Sequence, residues 1–212
     1  MSSTLANLRY WTQYLVGDPQ MTTYSTQMYT DAINFAIKEY AHKTGVTYIE
    51  ASAAVDATGF ATIPSTYLRV NRVVYGTTEL VESDFKFESM RSATWQTDTL
   101  ATGPKRWILW SGAKVKLTPL LATWPGTCTI GYTDVPTALS ADSDAVDSRI
   151  PASHNEYLKY AAGFWLLNLD GDGQDLQQAN MFMQEFNSLI GYSDPVLTSK
   201  LNQMRKEGKL EV

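Results

Sequence analysis

The chain carries one cysteine and two histidines in 212 residues. A single cysteine, Cys128, excludes an intrachain disulfide and any cysteine-built zinc site within one copy. In the strand-like run 127–132 it reads as a small buried hydrophobe. His42 stands near the end of a predicted helix and His154 in the first turn of another. Neither has a second histidine three or four residues away, so the spacing for a zinc pair is missing. Charge is also sparse, at 18% of residues, and its balance is acidic: 17 Lys/Arg against 22 Asp/Glu, a formal net charge of −5. No Lys/Arg run exceeds two apart from the looser Arg205-Lys206-Glu207-Gly208-Lys209. Nothing in the charge pattern suggests a nucleic-acid binder. No apolar run approaches the ~18 residues of a membrane span, and the N-terminus lacks the basic and apolar regions of a signal peptide.

Chemical motifs are missing as well. There is no G-x-x-x-x-G-K-[ST] or G-x-G-x-x-G phosphate loop and no G-x-S-x-G elbow; Ser111-Gly112 sits where a hairpin turn belongs. Asp170-Gly171-Asp172-Gly173-Gln174-Asp175 looks like the start of a calcium loop. Its twelfth position is Met181 counted from Asp170 and Met183 counted from Asp172, where a bidentate glutamate is needed. Helix-cap chemistry explains the loop better. Asp142, Asp144 and Asp147 read as a solvated loop. No catalytic residue, metal or cofactor is expected.

What is present is apolar and aromatic: 44% hydrophobic residues, six Trp and twelve Tyr. Such an excess suits interfaces or cross-strand pairs in a β-rich domain. Trp95, Trp107, Trp110 and Trp124 raise a second function, a carbohydrate-binding or adhesion module with an aromatic sheet. Trp107 and Trp110 are three apart, however, so a regular strand sends them to opposite faces.

Periodicity gives the elements. Ser3 or Thr4 caps a first helix with a stripe of Leu5, Leu8, Trp11 or Thr12, and Leu15, ended by Gly17-Asp18-Pro19. A second helix begins near Thr30 or Asp31, carries Ile33, Ala36, Ile37, Tyr40 and Ala41, and stops at Gly45. The period then shifts. Residues 48–55 and 60–63 read as a hairpin about 56–59, 67–75 as a strand turning into 79–81, and 106–110, 114–119 and 127–133 as a meander. Residues 83–99 read as a helical turn plus loop. Ser153 with Glu156 reads as a capping box ahead of Tyr157, Leu158, Ala161, Ala162, Trp165, Leu166 and Leu169. Leu176, Ala179, Phe182, Met183, Phe186, Leu189 and Ile190 form a second stripe, so the two helices make an antiparallel hairpin. Asp194-Pro195 starts a last helix with the narrow face Leu197, Leu201 and Met204. The predicted class is α+β: a helical bundle of about four to five helices, 1–45 and 150–208, carrying a central antiparallel β insertion. The insertion covers 46–149 with a mobile loop near 92–103, and 209–212 is a tail.

The proline-led entry, EYLKYAAGFWLL, the DGDGQD turn and the helix ending FNSLI resemble the C-terminal part of head-to-tail adaptor proteins of tailed bacteriophages. YTDAINFAIKEYAHKTG, DATGFATIPSTYLRVNRVVY, KVKLTP and TIGYTDVP extend the resemblance in order over most of the chain. It implies a non-enzymatic, structural virion protein. Such proteins form a ring, twelvefold in the family, beneath the portal, joining capsid to tail and leaving a channel for DNA. The implied partners are the portal protein, tail or nozzle proteins and further copies of the chain, with DNA passing through without sequence-specific binding and no membrane. The implied location is the head–tail junction of the virion, assembled in the host cytoplasm. The portal-contact candidates are Tyr192, Leu197, Leu201, Met204, Arg205 and Val212. The tail- or ring-contact candidates are Trp95, Thr97 and Leu100.

Overall fold

The computed structural model describes residues 3–100, 102–121, 126–170 and 173–191. In chain order the elements are α1 (Leu5–Leu15), α2 (Thr26–Thr44), β1 (Tyr48–Ala54), β2 (Phe60–Thr62), β3 (Tyr67–Tyr75), β4 (Thr78–Glu82) and α3 (Phe85–Arg91). They continue with β5 (Arg106–Trp110), β6 (Lys114–Thr118), β7 (Thr127–Asp134), a 3-10 turn (Ala152–Tyr157), α4 (Leu158–Asp170) and α5 (Gly173–Leu189). Contacts divide the chain into a helical unit, Met1–Gly45 with Pro136–Val212, and a β unit, Val46–Val135.

In the helical unit, α1 begins with a reciprocal cap. The Thr4 hydroxyl accepts from the Asn7 N–H and the Asn7 side chain accepts from the Thr4 N–H, which satisfies two of the donors a helix start leaves open. α2 begins earlier than its apolar stripe suggests, because Ser25 caps it. The link before it is built on buried Asp18. One carboxylate oxygen accepts from the Thr22 N–H at 2.7 Å, the other from the Tyr24 N–H at 3.0 Å and the Tyr29 hydroxyl at 3.1 Å. Gly45 closes α2 at φ 67°, a left-handed position that favours glycine.

The expected Ser153–Glu156 capping box does not form. Residues 152–157 take a 3-10 turn with no side-chain cap, and Glu156 instead pairs with Lys159 at 2.7 Å. α4 packs against α1, α2 and α5, so adjacent pairs such as Ala161–Ala162 and Leu166–Leu167 are both buried. The connector after Pro136 is bonded to the helices. Asn34 brackets Leu139 with two hydrogen bonds, and Arg9 pairs with Asp142 at 2.9 Å.

The β unit corrects the sequence expectation of fold class. It is not a small antiparallel insertion in a bundle. It holds a seven-stranded mixed sheet ordered β1-β7-β3-β4-β5-β6-β2. The two end strands are consecutive in sequence, and a Val55–Ala61 bridge joins them, so the sheet nearly closes into a barrel. Closure removes most of the exposed edge an open sheet would leave. The predicted 56–59 turn forms: Asp56 accepts from the Thr58 and Phe60 N–H groups and Gly59 sits at φ 80°. Its flanking strands do not make the expected hairpin, since β1 pairs with β7 and β2 with β6. The expected meander also breaks after β6, because β7 inserts between β1 and β3. The sheet is mixed because the connection from β4 to β5 contains α3, long enough for a crossover, and the two strands pair in parallel. Val70, Val73, Leu80, Trp107, Val115, Leu117, Cys128 and Ile130 fill the interior.

Candidate interaction surface

Strand register separates the two faces of β5 and β6. Trp107 and Leu117, directly opposite, belong to the barrel core. The alternating partners Arg106–Thr118, Ile108–Lys116 and Trp110–Lys114, with Phe60 opposite Lys116, therefore share the other face. That face is covered by α3 and the segment after it. The Phe85 ring lies 5.2 Å from Trp95 and 5.3 Å from Trp110, and Trp110 lies 5.3 Å from Phe60. The Thr118 hydroxyl donates to the Trp95 carbonyl at 3.4 Å. Lys116 donates to the Thr58 carbonyl and lies 4.6 Å from the Phe60 ring centre, a cation–aromatic arrangement. A second, aromatic packing layer thus sits outside the barrel.

α3 is held to this layer by one buried carboxylate. Asp84 caps the helix through the Phe87 N–H at 2.7 Å. One turn on, Glu88 is fully buried, with Arg106 Nε at 2.5 Å, Arg91 Nε at 2.8 Å and the Ser83 hydroxyl at 2.8 Å. Burial pushes the Glu88 carboxyl up, but Arg91, Ser83 and Arg106 outweigh it and hold the group below its ordinary value. Its oxygens are occupied by protein partners, so it works as an anchor for the helix.

With Phe85 and Glu88 turned to the sheet, the opposite side of α3 is left open. Phe87 and Met90 are 55% and 79% exposed; on the adjoining β4, Val81 is 66% exposed, and Phe85 itself is 51% exposed. Between β4 and α3 runs a groove of about 590 Å³ bordered by Val81, Ser83, Asp84, Phe87, Lys105 and Arg106. Val81, Phe87 and Met90, open on the side of α3 away from the sheet and on the adjoining strand, form a candidate interaction surface. In the helical unit the Tyr10–Tyr14 pair on α1, with ring centres 4.7 Å apart, is similarly open.

The tail- or ring-contact candidates fall beside this surface. Trp95 is buried, its indole N–H donating to the Ser89 hydroxyl at 3.2 Å. Thr97 is exposed and Leu100 is 39% exposed. The segment 92–103 is tied to the residues after β6: the Leu100 N–H donates to the Leu120 carbonyl at 2.8 Å, and the Leu120 N–H to the Asp98 carbonyl at 2.7 Å. The portal-contact candidates Tyr192, Leu197, Leu201, Met204, Arg205 and Val212 lie outside the described residues. Trp107 and Trp95 are each only 2% exposed, and Trp110 is packed among rings. Trp95, Trp107 and Trp110 therefore form no open platform for stacking sugars, and Trp124, the fourth tryptophan of that reading, lies outside the described residues. Among the described residues no group of three His, Cys, Asp or Glu side chains is placed to hold a metal, and no helix is long and apolar enough to cross a membrane.

Glu88, Phe87 and Met90 were not legible as site residues. The signal that could have found them is local: Asp84 caps a short helix in which Phe85 and Glu88 share one face and Phe87 and Met90 the other.

A family model described as SU10 adaptor protein matches residues 3–204. No curated protein matches the sequence. The match covers nearly the whole chain and agrees with the resemblance to phage head-to-tail adaptors. The chain belongs to this adaptor family, a family of structural proteins.

Proposed function

We propose that this protein is the head-to-tail adaptor of a tailed phage, a ring beneath the portal that joins capsid to tail and leaves a channel for DNA. The observation that carries the reading is the family match over residues 3–204, which spans both the helical and the β unit. A ring of identical copies closes only through heterologous contacts, so each copy must offer two different surfaces. The exposed residues of α3–β4 and of α1 supply two such surfaces, one in each unit. Copies in the ring number twelve, as is usual for such adaptors. The chain's net charge of −5 suits a channel that DNA crosses without being held.

The C-terminal segment 192–212 docks onto the portal, with Tyr192, Leu197, Leu201, Met204, Arg205 and Val212 as its contact residues. The narrow apolar face that the sequence of that segment predicts, Leu197, Leu201 and Met204, suits a partner groove. The 95–100 segment faces the next ring or tail component through exposed Thr97 and Leu100, with Trp95 buried beneath them as its anchor.

The test is to mix the purified chain with the portal ring of the same genome and image the mixture by electron microscopy. An added ring on one end of the portal is expected. A chain cut after Gly191 should remain folded and leave the portal bare. Two unassociated species at micromolar concentration with the full chain would overturn the reading.

A further inference from the structure

We infer that the α3–β4 face, centred on Phe87 and Met90, is where one copy of this chain packs against the next. The inference rests on the ring reading above and adds to it the surface that closes the ring.

Two observations favour a second copy as the occupant. The first is area. Aromatic side chains offer roughly 150–250 Å² each. At 55–79% exposure, Val81, Phe87 and Met90 together leave on the order of 400 Å² of apolar surface open. One side of a standard protein interface buries about 800 Å², a little over half of it apolar. The face therefore supplies about the apolar share one subunit must bring.

The second observation is charge. The β unit holds eight basic and eight acidic residues, so the whole −5 of the chain resides in the nine basic and fourteen acidic residues of the helical unit. The excess lies after Pro136, because 1–45 contains three of each sign. Copies brought together through their acidic segments repel one another, and at physiological salt that repulsion acts within about 8 Å. Neutral surfaces are where identical copies approach at least cost. The α3–β4 face meets this condition. The counter-surface on the neighbouring copy is the Tyr10–Tyr14 pair on α1, open apolar surface at 56% and 60% exposure, beside Arg9, whose charge is matched by Asp142 from the acidic segment.

Cysteine chemistry makes the inference testable. Cys128 is buried and its thiol is pushed up to about 11 by burial, so a cysteine placed at an open position is labelled selectively. Met90→Cys carrying a benzophenone maleimide is assembled on the portal ring and irradiated. Adaptor–adaptor crosslinks are expected, mapping to the peptide that contains Tyr10 and Tyr14. A Phe87→Asp/Met90→Asp variant, exposed at both positions and so expected to keep its fold by circular dichroism, should bind the portal as a ring at least tenfold less. If the wild-type ring forms but the probe links only to portal or tail protein, or to nothing, the α3–β4 assignment is wrong while the ring stands. Crosslinks to another part of the neighbouring copy overturn the α1 half. If the wild-type chain makes no ring on the portal, the adaptor reading itself fails and this inference goes with it.

Discussion

Replacing Glu88 should undock α3, and the size of the effect follows from burial. Glu88 is fully buried between Arg106, Arg91 and Ser83. Removing one partner of a fully buried ion pair costs about 3–5 kcal/mol, mostly from the charge left behind. Here the arginine side chains are 34% and 24% exposed and can turn toward water, so Glu88→Ala should cost less, about 2–3 kcal/mol. Glu88→Gln keeps the shape and the serine partner and should cost roughly half as much. The exposed pair Arg72–Glu79, with side chains 44% and 62% exposed, supplies the control: Glu79→Ala should cost under about 1 kcal/mol. Urea unfolding followed by tryptophan fluorescence reads all three, since Trp95 and Trp110 pack on Phe85. Amide exchange should quicken in α3 more than in β7. The pH dependence has a definite sign. The folded carboxyl is held below its ordinary value of 4.5. Its contribution is therefore present above that value and fades as pH falls through the folded pKa. A Glu88→Ala cost no larger than that of Glu79→Ala would refute the anchoring argument.

Three further outcomes are expected. Burial raises the Asp18 carboxyl, but the Tyr24, Thr22 and Thr23 N–H groups and the Thr22 hydroxyl bring it down to about 2 from 3.8. That is about 2 kcal/mol of stability, present above pH ~4 and lost as pH falls toward ~2. Asp18→Asn should remove the loss from an acid titration of stability and lower the plateau. Gly163→Ala sets about 1 kcal/mol of helix propensity against a new Cβ placed 2.9 Å from Phe182 and 3.3 Å from Leu15. Overpacking costs about 1–3 kcal/mol, so denaturant midpoints should fall; a rise would show that both side chains yield freely. The Cys128 thiol should react with an aromatic disulfide reagent only after unfolding, as a timed absorbance assay would show.

What was legible in the sequence is what neighbouring residues decide. The α1 stripe reads directly as buried Leu5, Leu8 and Thr12, and Gly45 closes α2 where a left-handed residue was needed. Most strand locations also emerge, because alternation and turn residues act over a few positions. Pairing does not emerge, because it is settled between residues far apart. Nothing near Asp56–Gly59 tells β1 to pair with Thr127–Asp134 rather than with β2 across its own turn. The choice is made by the core: pairing β1 with β7 brings the half-buried Ile49, Ala51 and Ala53 against Cys128, Ile130 and Tyr132. A local hairpin would have buried only the three residues of β2. The same reasoning explains the missed surface. Phe87 and Met90 read as scattered hydrophobes until Glu88, held by Arg106 from a strand 18 positions on, fixes which side of α3 meets the sheet. Once that side is set by a buried charge, the other side has no core left to join. Its apolar residues stay in water at a cost that a partner's surface removes.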